Sequence, residues 1–352
     1  MAKAQQELAR AIELGAAAHR ITSDLTRPNP RIYWADLLLT AAVIYGGLSL
    51  AVLGPGAWAL LGALAAALAL YRAISFIHEL THLRAGDAPG FREGWNALIG
   101  VPFLAPSLLY EGVHNLHHLK QLYGTADDPE YLPLARSRPL TLVGFLAVAA
   151  LAPLGSFLRF AILAPLSFVV PKLRSTVVAR YSAMVINPGF RRQDFGAARR
   201  PAWKAQEAGA WLWSWALIGL LLAGGVTARF VLTGVAIMAA VAVINQLRTL
   251  VAHAWKSDGR QLTITEQYLD SINVPPPGWL PLLWAPIGLR YHALHHLLPR
   301  VPYHNLAEAH RRLAAALPAD SAYHRAHHPG LLAPLKALIA SAAASARGQR
   351  AA

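Results

Sequence analysis

The stretch LLLTAAVIYGGLSLAVLGPGAWALLGALAAALALY, residues 37–71, carries no charged side chain and is broken once, at Gly54-Pro55-Gly56. Each arm approaches the roughly 20 apolar residues that a helix needs to cross a bilayer, and Gly-Pro-Gly is turn chemistry. The stretch therefore reads as a helical hairpin in lipid. A second pair follows at Ala208–Ala228 and Phe230–Leu247, with Gly224-Gly225 near its turn and Arg229 as its only charge. Trp211, Trp213 and Trp215 stand near the start of the third span, as interfacial aromatics often do. The predicted fold is all-α and integral to the membrane. It has four transmembrane helices as two hairpins, spans about 37–53, 57–77, 208–228 and 230–247, under a cytoplasmic helical cap.

Composition agrees. Of 352 residues 55% are hydrophobic and 14% charged, against roughly 25% charged in a soluble domain. The length would allow two soluble domains, but the apolar runs argue for one membrane-embedded unit over 35–315. Residues 1–34 form a cytoplasmic N-terminal helix and linker, too polar for a signal peptide. Residues 316–352 form a C-terminal cytoplasmic tail, Ala-rich and expected to fray after Leu338. The net charge of +14 comes with no nucleic-acid motif, and the basic residues flank apolar segments, so the partner they imply is the lipid bilayer. In the four-span arrangement every basic residue but Arg229 falls on one side, which the positive-inside rule makes cytoplasmic, with both termini on it. Pro139–Leu158 and Phe160–Pro171 are also uncharged. They are read as two interfacial or re-entrant helices, because a single crossing there would divide the metal site described next.

The chain has no cysteine and 15 histidines, which excludes disulfides, thiolate zinc sites and cysteine-held clusters. Eight histidines form three boxes: HELTH at 78–82 (His78, His82), HNLHH at 114–118 (His114, His117, His118) and HALHH at 292–296 (His292, His295, His296). On a helix, residues three and four apart share a face, so each box can aim its rings at one place. His253 lies one to two turns beyond Leu247; on a continuing helix Asn245, Thr249 and His253 make one stripe. Any one box could be surface decoration; three with the same tight spacing are not. Nine ligands are too many for one zinc and suit two ions of larger coordination number, each with an open position for dioxygen or water. Imidazole-rich sites suit iron, although ligand type alone leaves zinc, copper and manganese open. HELTH also matches the zinc-protease pattern with Glu79 as base, a distant alternative that leaves the other two boxes unexplained. HRAHH at 324–328 has box spacing too, but its setting beside Pro329-Gly330 reads as solvated tail, and His19, His304 and His310 read as surface or helix-terminal residues.

The order H-x-x-x-H, H-x-x-H-H and a distant H-x-x-H-H, separated by membrane hairpins, resembles the membrane fatty acid desaturase family. Flanking text strengthens the resemblance: Tyr123-Gly124-Thr125 with Asp127-Asp128-Pro129-Glu130, and Leu297-Leu298-Pro299 with Val301-Pro302-Tyr303-His304-Asn305-Leu306. It covers roughly 35–315 and looks closest to the bacterial branch that includes the dihydrorhizobitoxine desaturase. The resemblance implies that His78, His82, His114, His117, His118, His253, His292, His295 and His296 bind two iron ions. It also implies that a cap over the helix ends holds the substrate chain in a tunnel. Where some relatives carry asparagine one turn before the additional histidine, this chain has Thr249, which puts a water-mediated contact there in doubt. Glu79, Asp127, Asp128 and Asp258 could orient ligand rings by hydrogen bonds, or serve equally as cap-stabilising or exposed charges.

The implied chemistry is dioxygen-dependent oxidation of an aliphatic C–H pair. Fatty acyl desaturation is the first reading, and hydroxylation of a lipid or amino-acid-derived substrate is the alternative. The chain carries no redox group or dinucleotide loop, so electrons come from a separate donor of ferredoxin, rubredoxin or cytochrome type. The basic run Lys172, Arg174, Arg180, Arg191, Arg192, Arg199, Arg200 and Lys204 could steer an acidic donor or hold anionic headgroups.

Overall fold

The computed structural model describes residues 13–351. Among them the chain is helical throughout, with isolated β-bridges and no strand. Helix α1 (Pro30–Leu53) opens where the Asn29 side chain accepts from the Arg31 N–H and Pro30 takes the first turn, a position in which its missing N–H costs nothing. Gly54 and Pro55 then lead into α2 (Gly56–His82). The two helices pack side by side because Gly47 faces Gly62. A Cβ on Gly62 would lie 2.7 Å from both the Gly47 carbonyl oxygen and the Ala51 nitrogen, and backbone cannot yield there. Gly62→Ala is therefore expected to destabilise by about 1–3 kcal/mol, read as a lower melting temperature in detergent; an unchanged melt would show that the helices can part freely.

The remaining long elements are α3 (Pro139–Ala149), α4 (Ala152–Val169, with a π-helical turn over Leu158–Leu163), α5 (Pro201–Leu222) and α6 (Ala228–Leu250). Among the described residues four helices have the length and composition to cross a membrane: α1, α2, α4 and α6. Three of them, α1, α2 and α6, cover expected spans. The expected third span lies on α5, whose first turns hold Lys204, Gln206 and Glu207 and whose middle holds three tryptophans, so its hydropathy is modest. α4, at 18 residues, also has that length and composition, and it lies in the stretch read as interfacial or re-entrant. Its neighbour α3, at 11 residues, is short of the roughly 20 that a crossing takes. Leu39, Leu53 and Leu222 on these helices are 69%, 82% and 83% exposed, an arrangement that suits lipid rather than water.

α4 and α5 are tied by a buried ion triad. Arg159 on α4 donates to Glu207 Oε1 on α5 at 2.5 Å, and Arg174, on the helix Pro171–Tyr181, donates to both Glu207 oxygens at 2.9 and 2.7 Å.

At the polar end, Leu14 and Ala18 from the helix at 13–22 pack with Tyr268, Leu294, Leu306, Leu313 and Tyr323. The rest of the expected N-terminal helix, residues 1–12, lies outside the described residues. The expected frayed tail is instead the helix Leu332–Ala351. Alanine is the best helix former, and Leu335, Leu338 and Ala342 share one face that packs on Leu134 and Leu142. HRAHH is not solvated either: Tyr323 and Ala326 are buried, and the His328 N–H donates to the Asn273 carbonyl at 2.8 Å.

Candidate metal centre

The last turns of α2 carry His78 and His82. The second box makes a single turn, His114–His117, with His118 as its C-cap, and the third lies on the helix His292–Leu297. His253 is not on α6. That helix ends at Leu250, where the Trp255 indole N–H donates to the Leu250 carbonyl at 3.0 Å. The chain then runs extended beside residues 270–272, with His253 bridged to Ser271 and the Ile272 N–H donating to the Ala252 carbonyl at 2.9 Å. The expected Asn245–Thr249–His253 stripe therefore does not form; the Thr249 hydroxyl donates back to the Asn245 carbonyl at 2.8 Å.

All nine histidines come together nonetheless, in two groups. His78, His82, His114, His118 and His295 form one; His117, His253, His292 and His296 form the other, and within each group the ring nitrogens lie within 4.8 Å of one another. Each H-x-x-H-H box is divided: its first and last histidines join one group and its middle one the other.

The donor set fits a cation in each group. His118 Nε2 stands 2.9 Å from His114 Nε2 and 3.1 Å from His295 Nε2; His292 Nε2 stands 2.9 Å from His253 Nε2 and 3.2 Å from His296 Nε2. One N–H cannot serve two such neighbours, whereas a metal at about 2.1 Å from each nitrogen puts ligands at right angles about 3.0 Å apart. Both nitrogens of His78 and Nε2 of His82 are buried with no hydrogen-bond partner, a cost that a bound ion removes. Burial, reinforced by neighbouring imidazoles, holds His114, His118, His292, His295 and His296 well below the usual histidine range, and burial does the same for His253. This environment favours the neutral imidazole, whose lone pair can bind a metal.

Outer partners aim three of these lone pairs inward. His117 Nδ1 donates to both oxygens of Asp128, at 3.0 and 2.9 Å. Burial opposes charge on His117, but the Asp128 carboxylate outweighs it and raises the imidazole, a field that a cation on Nε2 would use equally. His114 Nδ1 donates to Glu130 Oε1 at 2.8 Å, and the Tyr110 hydroxyl holds the other Glu130 oxygen at 2.6 Å. Burial pushes the Glu130 carboxyl up to about 7; a cation on His114 favours its ionised, accepting form. His253 Nδ1 faces the Tyr123 hydroxyl at 2.8 Å, which donates to Asp270 at 3.1 Å, as Tyr131 does at 2.9 Å. These carboxylate–histidine links fix tautomer and ring orientation.

Of the four carboxylates singled out from sequence, only Asp128 does this. Asp127 is exposed, and Asp258 faces Arg136 and Arg260. Glu79 accepts from the Tyr33 hydroxyl at 2.6 Å and the Tyr303 N–H at 3.1 Å. Its Oε2 is thus engaged by Tyr33 and Tyr303, which speaks against the free base that a protease reading of HELTH needs. Glu130 was in plain sight, two residues after Asp128; Asp270 and Tyr123 reach His253 only through tertiary packing. The basic run is also thinner than expected. Arg174 belongs to the ion triad, and Arg192 is buried, donating to the Leu108 and Ser182 carbonyls at 3.0 Å each and stacking on Trp203. A cavity of about 160 Å³, lined by Tyr33, Glu79, His82, Arg84 and Arg300 among others, reaches the first group at His82.

Two comparisons define the class of protein. The fatty acid desaturase family model matches residues 55–328, and the chain belongs to that family, membrane oxidoreductases that are generally di-iron. Over 330 residues the chain is also 58% identical to the ceramide hydroxylase of Caulobacter vibrioides (strain NA1000 / CB15N), an alignment covering 92% of each chain.

Proposed function

We propose that this protein hydroxylates a ceramide-type lipid in the membrane, with dioxygen as oxidant and two electrons from a separate donor protein. The observation that carries the reading is the 58% identity with a ceramide hydroxylase over 92% of both chains. It favours hydroxylation over the desaturation preferred from sequence.

His78, His82, His114, His118 and His295 would hold one iron, and His117, His253, His292 and His296 the other. Iron bound there supplies the oxidising power for the reaction in which the lipid C–H becomes C–OH, the second oxygen atom leaves as water, and two electrons and two protons are consumed. The chain's own part is to hold and orient. Asp128, Glu130 and the Tyr123–Asp270 pair keep three imidazoles in the ligating tautomer. Six of the nine histidines are buried, which keeps bulk water from the reacting atoms. Because His78 and His82 end a membrane helix, the chemistry lies beside the bilayer that delivers the lipid. The basic residues that flank the apolar helices support, by the positive-inside rule, a cytoplasmic position for this end.

Product analysis tests the outcome. The protein in ceramide-containing vesicles, supplied with a reducing system and heavy-isotope dioxygen, is expected to yield a lipid heavier by one labelled oxygen atom. A product lighter by two hydrogens and unlabelled would make it a desaturase.

A further inference from the structure

Asp128 and Glu130 sit on one short loop, yet they orient histidines of different groups: His117 in the second and His114 in the first. Within the loop, the Asp128 carboxylate accepts from the Gly124 and Glu130 N–H groups at 2.8 and 2.9 Å. The loop is also gripped by residues 186–187, brought from the middle of the segment that links α4 to α5. The Asn187 side-chain amide donates to the Ala126 carbonyl at 2.8 Å and the Asp128 carbonyl at 3.0 Å, while the Ile186 and Asn187 N–H groups both donate to the Pro129 carbonyl at 2.9 Å. Asn187 is 8% exposed, and its own side-chain oxygen accepts from the Gly189 N–H at 2.9 Å. The gripping segment is itself fixed at both ends. The Met184 N–H donates to the Leu109 carbonyl at 2.7 Å, and the Arg192 guanidinium binds the Leu108 and Ser182 carbonyls.

Resting on the metal-binding reading above, we propose that Asn187 is a positioning residue for both metal positions at once, acting through the 126–130 loop. Its amide holds the backbone on either side of Asp127, and so sets where both carboxylates meet their imidazoles. Outer partners of metal-bound histidine are worth roughly 10–100-fold in affinity. The Asp128 side chain meets an imidazole of the second group only, whereas Asn187 holds the backbone that carries both carboxylates.

The experiment uses the full-length protein in detergent, stripped of metal and titrated with cobalt(II), whose absorption reports each ion bound. The melting temperature of the metal-free protein is followed in parallel. Wild type is expected to take up two ions. Asp128→Asn should weaken one by about 10-fold or more, leaving the other near its wild-type value. Asn187→Ala should weaken both, by more than any shift in metal-free stability accounts for. Asn187→Asp keeps the acceptor for Gly189 but loses the donor to the loop, and should behave as Asn187→Ala does, so a poorly folding alanine variant leaves the test intact. Wild-type affinity at both positions in either Asn187 variant, or weakening confined to one position, overturns the proposal. Wild type that binds no pair of ions refutes the two-metal reading itself, which is a different failure.

Discussion

His117→Ala is expected to abolish lipid oxidation, with product formation falling by more than the roughly 100-fold that outer-partner changes cause. His117 is one of only four nitrogens in the second group, and it is the one that Asp128 holds in place. Its loss leaves three imidazoles for an ion that needs an open position besides. The fold should survive, because Asp128 still accepts from the Gly124 and Glu130 N–H groups at 2.8 and 2.9 Å. The variant should therefore bind one metal ion where wild type binds two, and melt in detergent close to wild type in the metal-free state. Full activity in this variant would remove His117 from the centre.

The second large effect is on stability. Glu207 is fully buried, and two guanidiniums depend on it, one of them, Arg159, only 3% exposed. Removing one partner of such a buried set leaves uncompensated charge and costs about 3–5 kcal/mol. Glu207→Gln is thus expected to lower the melting temperature more than Gly62→Ala does. Replacing Arg159, Glu207 and Arg174 together by apolar residues of similar volume should recover much of the loss, since the desolvation of all three charges then disappears. A Glu207→Gln protein that melts like wild type would show that the triad does not tie α4 to α5.

Much of this architecture was legible along the chain because membrane helices and i, i+4 histidine pairs are local signals. The HELTH pair on α2 needed nothing but helix geometry. The division of each H-x-x-H-H box between two groups follows from the same geometry, although face-sharing alone hides it. Residues 117 and 118 are about 100° apart around a helix of 3.6 residues per turn, so neighbours in sequence point at different ions. His253 came out as a member of the site for a reason the sequence does not carry. The stripe expected on α6 depended on a helix that in fact stops at Leu250, and pairing with Ser271 brings the ring into place. Tyr123 was hidden for the same cause, since it meets His253 and Asp270 across 130 and 147 residues. That α4 reaches the length and hydropathy of a span shows the limit of reading charge alone. Arg159 broke the run at 139–171, yet in the fold it is neutralised by Glu207 from the neighbouring helix.

The central claim is that nine histidines hold two metal ions. Quantifying metal in protein purified in mild detergent from cells grown on Mössbauer-active iron, and recording its Mössbauer spectrum, tests this most directly. Two irons per chain with the spectrum of a coupled pair is the predicted result. A single zinc and no iron in metal-replete protein would contradict it.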